Sequence, residues 1–411
     1  MSLPAASRSA EASAATGAVH PTQRWAFGAL LGVIMLGLGI SAAPSPLYGI
    51  YADAWGFAPI TTTVIFAAYA LAALASVLVA GAISDRVGRR PVLLVAISGL
   101  VLGLVVFMLA DSVPVLIAAR VLHGLSVGAV VVAGSAALLD LRPNDGARTG
   151  RSTGVAFNVG IAFTVLLTAV DAEYGPAPLV VPYAVLAGFS VAALLAVLLM
   201  RETHVDNRAA TLVIARPRVP AVISTDFRFS ALGVMASWSV LGVFLSLFPT
   251  IASVAVGSTN LVFGGAVVAG SAATAALSQA VAAAWPAKTA ALVGDVGMGI
   301  CAGLCVLSVH LGNPWAVGLA AVALGFFFGL AFGGSLRHLN QVVPADHRGE
   351  VMSAFYVLAY GAMAVPTLIA GWAATQWGVD DIFAPFMACV AAACLLAAWL
   401  GTRVPRVTPD A

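Results

Sequence analysis

Between residues 81 and 90 the chain runs Gly81-Ala-Ile-Ser-Asp85-Arg86-Val-Gly88-Arg89-Arg90. This basic segment lies between two long apolar runs, residues 60–83 and 91–110. A charged turn between apolar runs of helical length is typical of a loop that joins two membrane-spanning helices. Gly81 allows the two helices to approach closely, and Gly88 allows the tight turn between them.

The composition of the whole chain is that of a protein embedded in a membrane. Of its 411 residues, 61% are hydrophobic and only 9% are charged, and the mean hydropathy is +1.02. A soluble globular domain carries about 25% charged residues. The composition therefore excludes a soluble enzyme and a nucleic-acid-binding protein, because both need a polar surface that this chain lacks.

Twelve apolar runs are long enough to cross a bilayer, which takes about 20 residues. Backbone polar groups in lipid must be hydrogen-bonded within their own segment, so each run is predicted to be an α-helix. We number these runs as spans 1 to 12, and they cover residues 25–43, 60–83, 91–110, 113–139, 154–170, 177–200, 229–251, 261–285, 289–309, 314–336, 351–376 and 382–402. The expected fold is an all-α membrane protein.

The positive charges predict the orientation of the chain. With the N-terminus inside, 18 of the 19 Lys and Arg residues lie in cytoplasmic segments and none in the outer loops. Lys and Arg resist translocation, so this distribution predicts a multi-pass protein of the plasma membrane with both termini in the cytoplasm. The remaining basic residue, Arg120, lies inside span 4.

The longest polar connection, residues 201–228, divides the chain into two sets of six spans. A shift of 201 residues supports an internal repeat, because it places Gly124 on Gly325, Gly128 on Gly329, Pro143 on Pro344, Asp145 on Asp346 and Gly160 on Gly361. Two pseudo-symmetric halves with a binding site between them are typical of secondary transporters. The predicted organisation is a disordered cytoplasmic tail (1–23), an N-terminal half (24–200), a cytoplasmic linker (201–228), a C-terminal half (229–403) and a short cytoplasmic tail (404–411).

Residues 81–90 resemble the signature loop of the major facilitator superfamily, G-x-x-x-D-[RK]-x-G-[RK]-[RK], at every specified position. The resemblance implies a twelve-helix transporter of the drug or metabolite efflux type. It also implies that Asp85 contacts span 11, and that Arg89 pairs with Asp140 at the end of span 4 to hold the cytoplasmic side closed. In the corresponding segment of the second half, residues 282–291, only Lys288 is basic, so the expected lock is asymmetric.

Span 4 resembles a second motif of that family, R-x-x-Q-G, written here Arg120-Val-Leu-His123-Gly124. In the family this Arg is associated with proton transfer. A buried cation costs at least about 2.5 kcal/mol, so Arg120 is expected to face the central cavity with a partner; the alternative is that it extends to the outer surface near Asp111 or Asp171. His123 lies one turn deeper on the same face. It is either a hydrogen-bonded core residue or a group that gains and loses a proton while Arg120 stays charged, since imidazole titrates in the physiological range.

Spans 1, 2, 4, 5, 7, 8, 10 and 11 line the cavity in the fold that the resemblance implies. Besides Arg120 and His123, the candidate coupling or substrate-binding residues are Ser41, Tyr48, Tyr69, Asn158, Trp238, Gln279, Tyr356 and Tyr360. No acidic residue lies in the middle third of these spans, which favours a neutral or anionic substrate over a lipophilic cation. Asp295 lies in span 9, which is peripheral in this fold, so we expect it to form a structural pair; a coupling role is the alternative.

The sequence predicts a secondary active transporter that works by alternating access. It contains neither the nucleotide-binding loop G-x-x-x-x-G-K-[ST] nor the H-E-x-x-H motif, so we expect no ATP site, no enzyme activity, no cofactor and no metal. The favoured function is proton-coupled export of a small amphipathic compound by a monomer. The alternatives are uptake of a small organic acid or sugar by symport, and a receptor or sensor that has lost transport. The G-P-x-x-G-G signature of drug antiporters is absent from span 5, which weighs against antiport. After span 6, Glu202-Thr203 resembles the family's P-E-T ending, with Arg201 in place of Pro.

Overall fold

The structure is a computed structural model that describes residues 23–204 and 216–404, and these residues form a helical bundle. The predictions for the tails 1–23 and 404–411 fall almost entirely outside the described residues. In the N-terminal half, span 1 consists of Arg24–Ala42 and Tyr48–Trp55, and the next five spans are Pro59–Val87, Arg89–Met108, Val113–Leu141, Gly146–Tyr174 and Val181–Leu199. In the C-terminal half, span 7 consists of Ser224–Ser246 and Phe248–Val256, and the next five are Leu261–Val281, Ala287–Leu311, Pro314–Val342, Arg348–Trp377 and Val379–Arg403. The twelve predicted spans are confirmed.

Several helices are longer than their apolar runs. Span 5 begins at Gly146 rather than at residue 154, and span 7 begins at Ser224 rather than at residue 229. The first turns of these helices carry polar and charged residues, such as Arg151 and Asp226. A hydropathy pattern leaves such residues out of a predicted span, although they can form part of the helix.

Span 1 also continues beyond Pro44 and Pro46, which follow its predicted end at residue 43. The chain makes a short turn at Ser45–Leu47 and then continues as the helix Tyr48–Trp55. Proline has no backbone N–H to donate, but it fits the first turn of a new helix, so the prolines break the span without ending it. Span 7 breaks in the same way before Pro249, which lies in the first turn of its second helix.

The internal repeat corresponds to one helix contact that occurs in both halves. A Cβ atom on Gly124 of span 4 would contact the carbonyl oxygen of Tyr69 in span 2. A Cβ atom on Gly325 of span 10 would likewise contact the carbonyl oxygen of Ser271 in span 8. Glycine therefore lets the equivalent helices touch at their backbones in each half, as small residues commonly do in membrane bundles.

The two ends of the bundle differ in charge, and hydrogen bonds join the two halves at one of them. We call the end that carries residues 81–90 the basic end, and the opposite end, which carries Glu173, the acidic end. At the acidic end the backbone N–H of Ile60 donates to Thr375 Oγ1 at 3.0 Å, and the backbone N–H of Leu261 donates to Glu173 Oε2 at 2.8 Å. Each of these hydrogen bonds joins one half to the other, so the halves are closed against each other at the acidic end.

The outside of the bundle is apolar. Val95, Leu199 and Leu319 are 75%, 78% and 70% exposed, respectively. Large exposed apolar patches are rare on monomeric soluble proteins. This surface suits contact with the lipid bilayer.

Candidate functional site

Arg89 is the centre of the signature loop. Its side chain is 9% exposed, and its Nε donates to Asp140 Oδ2 at 3.2 Å. Its Nη1 donates to Ser84 Oγ at 2.7 Å and also pairs with the Asp85 carboxylate. From the first residue of span 3, Arg89 therefore joins the basic ends of spans 2 and 4, and the structure brings together the two residues of the predicted gate.

Two other loop residues face solvent. The Asp85 side chain is 54% exposed, and Arg86 is exposed. Among the hydrogen bonds and ion pairs of the described residues, none joins Asp85 to span 11. In this conformation the contact that the resemblance implies for Asp85 is not made.

Glu202 binds the turn of the signature loop, a role that the sequence analysis missed. Its two carboxylate oxygens accept the backbone N–H groups of Arg89 and Arg90, each at 3.0 Å. Gly88 makes room for this contact: its φ is +102°, and a Cβ atom there would lie 2.6 Å from Glu202 Oε2. The Arg90 side chain adds hydrogen bonds to carbonyl oxygens at the end of span 6. The P-E-T resemblance marks Glu202 in the sequence, but its partner is 113 residues away.

Arg120 lies in an aromatic enclosure. Its side chain is 1% exposed, and its Nη1 donates to the carbonyl oxygen of Ser41 at 2.7 Å. Its Cζ lies 4.7 Å from the ring centroid of Tyr69, 5.5 Å from that of Phe66 and 6.0 Å from that of Tyr48. We call Ser41, Tyr48, Phe66 and Tyr69 the Arg120 cage. Arg120 thus turns inward, rather than toward Asp111 or Asp171.

The partners of Arg120 differ from those expected for a buried cation. Over the part of the chain that the structure describes, no acidic side chain lies within 4 Å of the guanidinium, and its Nε has no hydrogen-bond partner. Phe66 was not among the predicted residues. Its position one turn before Tyr69 on span 2 is the signal that would have found it.

Aromatic side chains continue from the cage toward the C-terminal half. Tyr69 lies near Tyr360 of span 11. The Tyr360 ring lies edge-on to Trp238 at 4.8 Å, and Trp238 lies edge-on to Phe332 at 5.8 Å. We call Tyr69, Tyr360, Trp238 and Phe332 the central aromatic cluster. It places three of the predicted residues side by side across the interface between the halves.

His123 does not belong to this arrangement. Its ring lies 5.0 Å from the ring of Phe107, and a Cβ atom on Gly103 would contact it. Phe107 and Gly103 are both in span 3, whereas the cage belongs to spans 1 and 2. The rings that surround His123 therefore belong to span 3 and those that surround Arg120 to spans 1 and 2, although the two residues lie one turn apart on span 4. Neither ring nitrogen of His123 has a hydrogen-bond partner among the described residues, so the hydrogen-bonded core role is not observed.

The other predicted residues lie nearer the C-terminal half. The Asn158 amide donates to the carbonyl oxygen of Gly154 at 3.1 Å, and Asn158 lines a small cavity of about 30 Å³ with residues such as Phe244 and Phe328. Gln279 of span 8 lies against Gly154 of span 5. Tyr356 is half-buried on span 11, edge-on to Phe355 at 5.9 Å.

Asp295 lacks the structural pair that was expected for it. The residue is fully buried, and neither carboxylate oxygen has a hydrogen-bond partner among the described residues. Span 9 is peripheral, but Asp295 points into the C-terminal half rather than out of it.

Two six-helix halves, closed at one end and enclosing a buried cation with aromatic neighbours, define a membrane transport protein. The chain matches the family model described as Major Facilitator Superfamily over residues 29–367 and belongs to that family.

Solved structures show the same fold. The chain is similar to the human organic anion transporter MFSD10 (TETRAN), with a TM-score of 0.71 and 17% identity over 93% of this chain and 100% of that one. It is also similar to a mutant of the nucleoside transporter NupG, with a TM-score of 0.70 and 10% identity over 92% of this chain and 99% of that one. Sequence comparison with curated proteins gives no match. At these identities the similarity shows the fold alone.

Proposed function

We propose that this protein exports a small amphipathic compound, neutral or anionic, in exchange for protons. It works by alternating access in the plasma membrane, with both termini in the cytoplasm. Membership of the major facilitator superfamily supports membrane transport. The observation that carries the substrate class is the buried Arg120 guanidinium, which has aromatic rings but no carboxylate around it.

The charge of Arg120 favours an anion. Moving a guanidinium out of water costs several kcal/mol, and each ring contact offsets about 0.5–2 kcal/mol of that cost. A substrate carboxylate or sulfonate supplies the missing negative charge and matches the fork of donors that Arg presents. An organic anion transporter among the structures of similar fold agrees with an anion at this position.

The central aromatic cluster suits the apolar part of the substrate. Trp and Tyr rings offer large apolar faces together with a polar edge, and the Trp238 indole N–H is buried without a partner. The neighbouring cavity is small, about 30 Å³, and has a largely apolar lining. Small-molecule sites typically enclose about 300–1,000 Å³, so the halves must separate here to admit a compound.

Direction and coupling rest on the resemblance to efflux transporters. The Arg89–Asp140 contact joins spans 3 and 4 of the N-terminal half at the basic end, whereas the hydrogen bonds of Thr375 and Glu173 join the two halves at the acidic end. A carrier that alternates between two openings needs contacts between its halves that can be broken at each end in turn. Proton exchange is supported by the segment of span 4 that resembles R-x-x-Q-G, in which Arg120 lies and His123 replaces the usual Gln.

A transport assay tests the substrate class and the direction together. Purified protein in liposomes with an imposed pH gradient is supplied with organic anions of increasing apolar size, their uncharged amides and matched cations. We expect Arg120→Lys to slow anion transport by about tenfold or more, because it loses charge-assisted hydrogen bonds worth about 1.5–3 kcal/mol. Arg403→Lys is the matched control, since Arg403 also lies over a ring, that of Trp399, but far from the cage.

Four outcomes would overturn parts of the proposal. Preferred transport of cations, or an Arg120→Lys rate equal to the wild-type rate, contradicts the anion site. Accumulation of the compound together with protons, rather than against them, supports symport. A gradient without effect contradicts proton coupling.

A further inference from the structure

A second group of buried polar side chains lies inside the C-terminal half, apart from the Arg120 cage. Asp295 of span 9, Ser335 of span 10 and Ser230 of span 7 are each fully buried. The Asp295 carboxylate and both serine hydroxyls lack hydrogen-bond partners among the described residues. Three unpartnered polar groups in one helical bundle indicate a site for an ion or a proton.

Two of these groups meet at Gly233 of span 7. A Cβ atom on Gly233 would lie 2.9 Å and 3.2 Å from the two Asp295 carboxylate oxygens and 3.1 Å from Ser335 Oγ. The carboxyl group and the hydroxyl therefore border the same small space, which exists because residue 233 has no side chain. Ser230 lies one turn away from Gly233 on the same face of span 7.

A second polar pair lies between this space and the basic end. His338 lies one turn beyond Ser335 on span 10, and its Nε2 is 2.8 Å from Asp226 Oδ1. Asp226 lies one turn before Ser230 on span 7, and its side chain is 16% exposed. The His338 side chain is only 2% exposed. A line of polar groups thus runs from a partly exposed carboxylate at the basic end to the buried carboxyl of Asp295, over about 10 Å of helix.

Among the described residues, no cation pairs with Asp295. Span 12 presents Cys394 near Asp295, and on span 10 the residue one turn beyond Ser335 is His338, which Asp226 already binds. At the start of span 9, Lys288 donates to the carbonyl oxygen of Val404. A carboxylate without a donor or a cation is very unfavourable in an apolar interior. The neutral acid, which carries a proton, fits these surroundings.

We propose that Asp295 binds the proton that drives transport, and that the proton reaches it from the basic end through Asp226, His338 and the buried serines. The inference rests on the proton coupling of the proposed function and names its site. His338 accepts a proton beside Asp226 and releases one from its other nitrogen toward the buried serines. Because neither serine hydroxyl is hydrogen-bonded to His338 or to Asp295 in this conformation, the transfer requires these helices to shift or to admit water. The proton ends on Asp295, where an O–H bond forms and the carboxylate charge disappears. No electrons change hands.

The same helices connect this site to the central aromatic cluster. Span 7 carries both Gly233 and Trp238, and span 10 carries both Ser335 and Phe332. Ser237, one turn beyond Gly233, contacts the Met298 sulfur of span 9 at 3.5 Å. Loss of the proton places a charge between spans 7, 9 and 10, and these spans can reduce its cost only by moving apart to admit water or a cation. Such a movement also displaces Trp238 and Phe332.

Infrared spectroscopy of the protein in liposomes, without any transported compound, tests the site directly. A buried protonated carboxyl gives a separate carbonyl stretching band, which we expect in the wild type at neutral pH. Asp295→Asn should remove this band, whereas Asp53→Asn, at an exposed position of the acidic end, should leave it. Gly233→Ala should shift the band, because its methyl group contacts the carboxyl, and it keeps the test valid if Asp295→Asn does not fold.

The relay is tested by the rate at which this band shifts in deuterated water. We expect His338→Gln to slow the exchange by about tenfold or more, since a positioned acid–base group commonly accelerates proton transfer by more than that. His310→Gln, an exposed histidine at the other end of span 9, should leave the rate unchanged. A carbonyl band that persists in Asp295→Asn, or an exchange rate in His338→Gln equal to that of the wild type, would overturn the proposal. Loss of the band when sodium replaces choline at constant pH would show a sodium site instead.

The two proposals fail separately. The infrared measurement contains no organic anion, so its outcome is independent of the Arg120 cage. Anion transport that is insensitive to Arg120→Lys would contradict the anion site and leave the Asp295 band unaffected.

Discussion

The carboxylate of Glu202 accepts the backbone N–H of Arg89 at 3.0 Å, although 113 residues of chain separate them. Arg89 is the first residue of span 3, where unpaired N–H groups and the helix dipole favour a negative charge. Glu202 therefore acts as a cap supplied from the end of span 6. The signature loop and the beginning of the linker form one unit, so a movement of either is transmitted to the other.

Glu202→Ala should destabilise the protein measurably. It removes the hydrogen bonds to Arg89 and Arg90, and the loss of a helix cap of this kind costs about 0.5–2 kcal/mol. We expect a lower melting temperature of the purified protein, measured by tryptophan fluorescence, and no shift for Asp53→Ala. Gly88→Ala should have a similar effect, because φ is +102° there and the methyl group displaces Glu202. Equal melting temperatures for Glu202→Ala and Asp53→Ala would show that the cap has no energetic role.

Asp140→Asn should loosen the basic end. In a variant whose four native cysteines are replaced, a cysteine at position 279 is labelled from the basic side with an impermeant maleimide. We expect Asp140→Asn to speed labelling by about fivefold, the effect of about 1 kcal/mol of lost ion-pair energy. The control is Asp145→Asn, whose partner Arg148 is an exposed residue at 4.0 Å. Restored protection in the double variant Arg89→Asp with Asp140→Arg would support the pair, and unchanged labelling in Asp140→Asn would exclude it as a gate.

Glu173→Ala should open the acidic end. Glu173 of span 5 caps span 8 through the N–H of Leu261 and so joins the two halves. A charge-assisted hydrogen bond contributes about 1.5–3 kcal/mol, so we expect a cysteine at position 63, next to Gly371 of the other half, to be labelled at least about tenfold faster from that side. Asp111→Ala, at the same end, serves as the control. If Glu173→Ala and Asp111→Ala label alike, this contact does not hold the end closed.

The orientation of the bundle is tested with inserted reporters. An enzyme that is active only outside the cell should be silent when it is fused after Arg218 and active when it is inserted near Asp53. The physical reason is the concentration of Lys and Arg at the basic end, which resists translocation. The opposite activity at either position would contradict the cytoplasmic assignment of the termini.

His123→Gln should leave the pH profile of transport unchanged. The imidazole packs against Phe107 and Gly103 of span 3 and not in the Arg120 cage, and Gln is the residue usual at this position of the family motif. Asp295→Asn should instead flatten the profile, so the two variants measured in one proton-driven assay distinguish the sites. If His123→Gln alters the pH profile of transport, His123 of span 4 takes part in proton coupling.

Much of the fold follows from the sequence because lipid imposes simple rules. A span must satisfy its own backbone hydrogen bonds, so apolar runs are sufficient to predict twelve helices. The ends of these helices were less predictable, since Gly146 and Ser224 begin helices whose first turns are polar. The glycines of the repeat, such as Gly124 and Gly325, marked backbone contacts that each half makes in the same way.

The sequence by itself determined the class of protein, the number of spans, the basic loop and the residues available for a site. Tertiary structure alone decided which of them meet. Arg120 has three ring neighbours from spans 1 and 2, His338 binds an aspartate 112 residues away, and Asp295 lacks a partner. Hydropathy along a span shows that it is buried in the membrane but not which neighbour its polar side chains face. That depends on the rotation of each helix against the others, which packing sets.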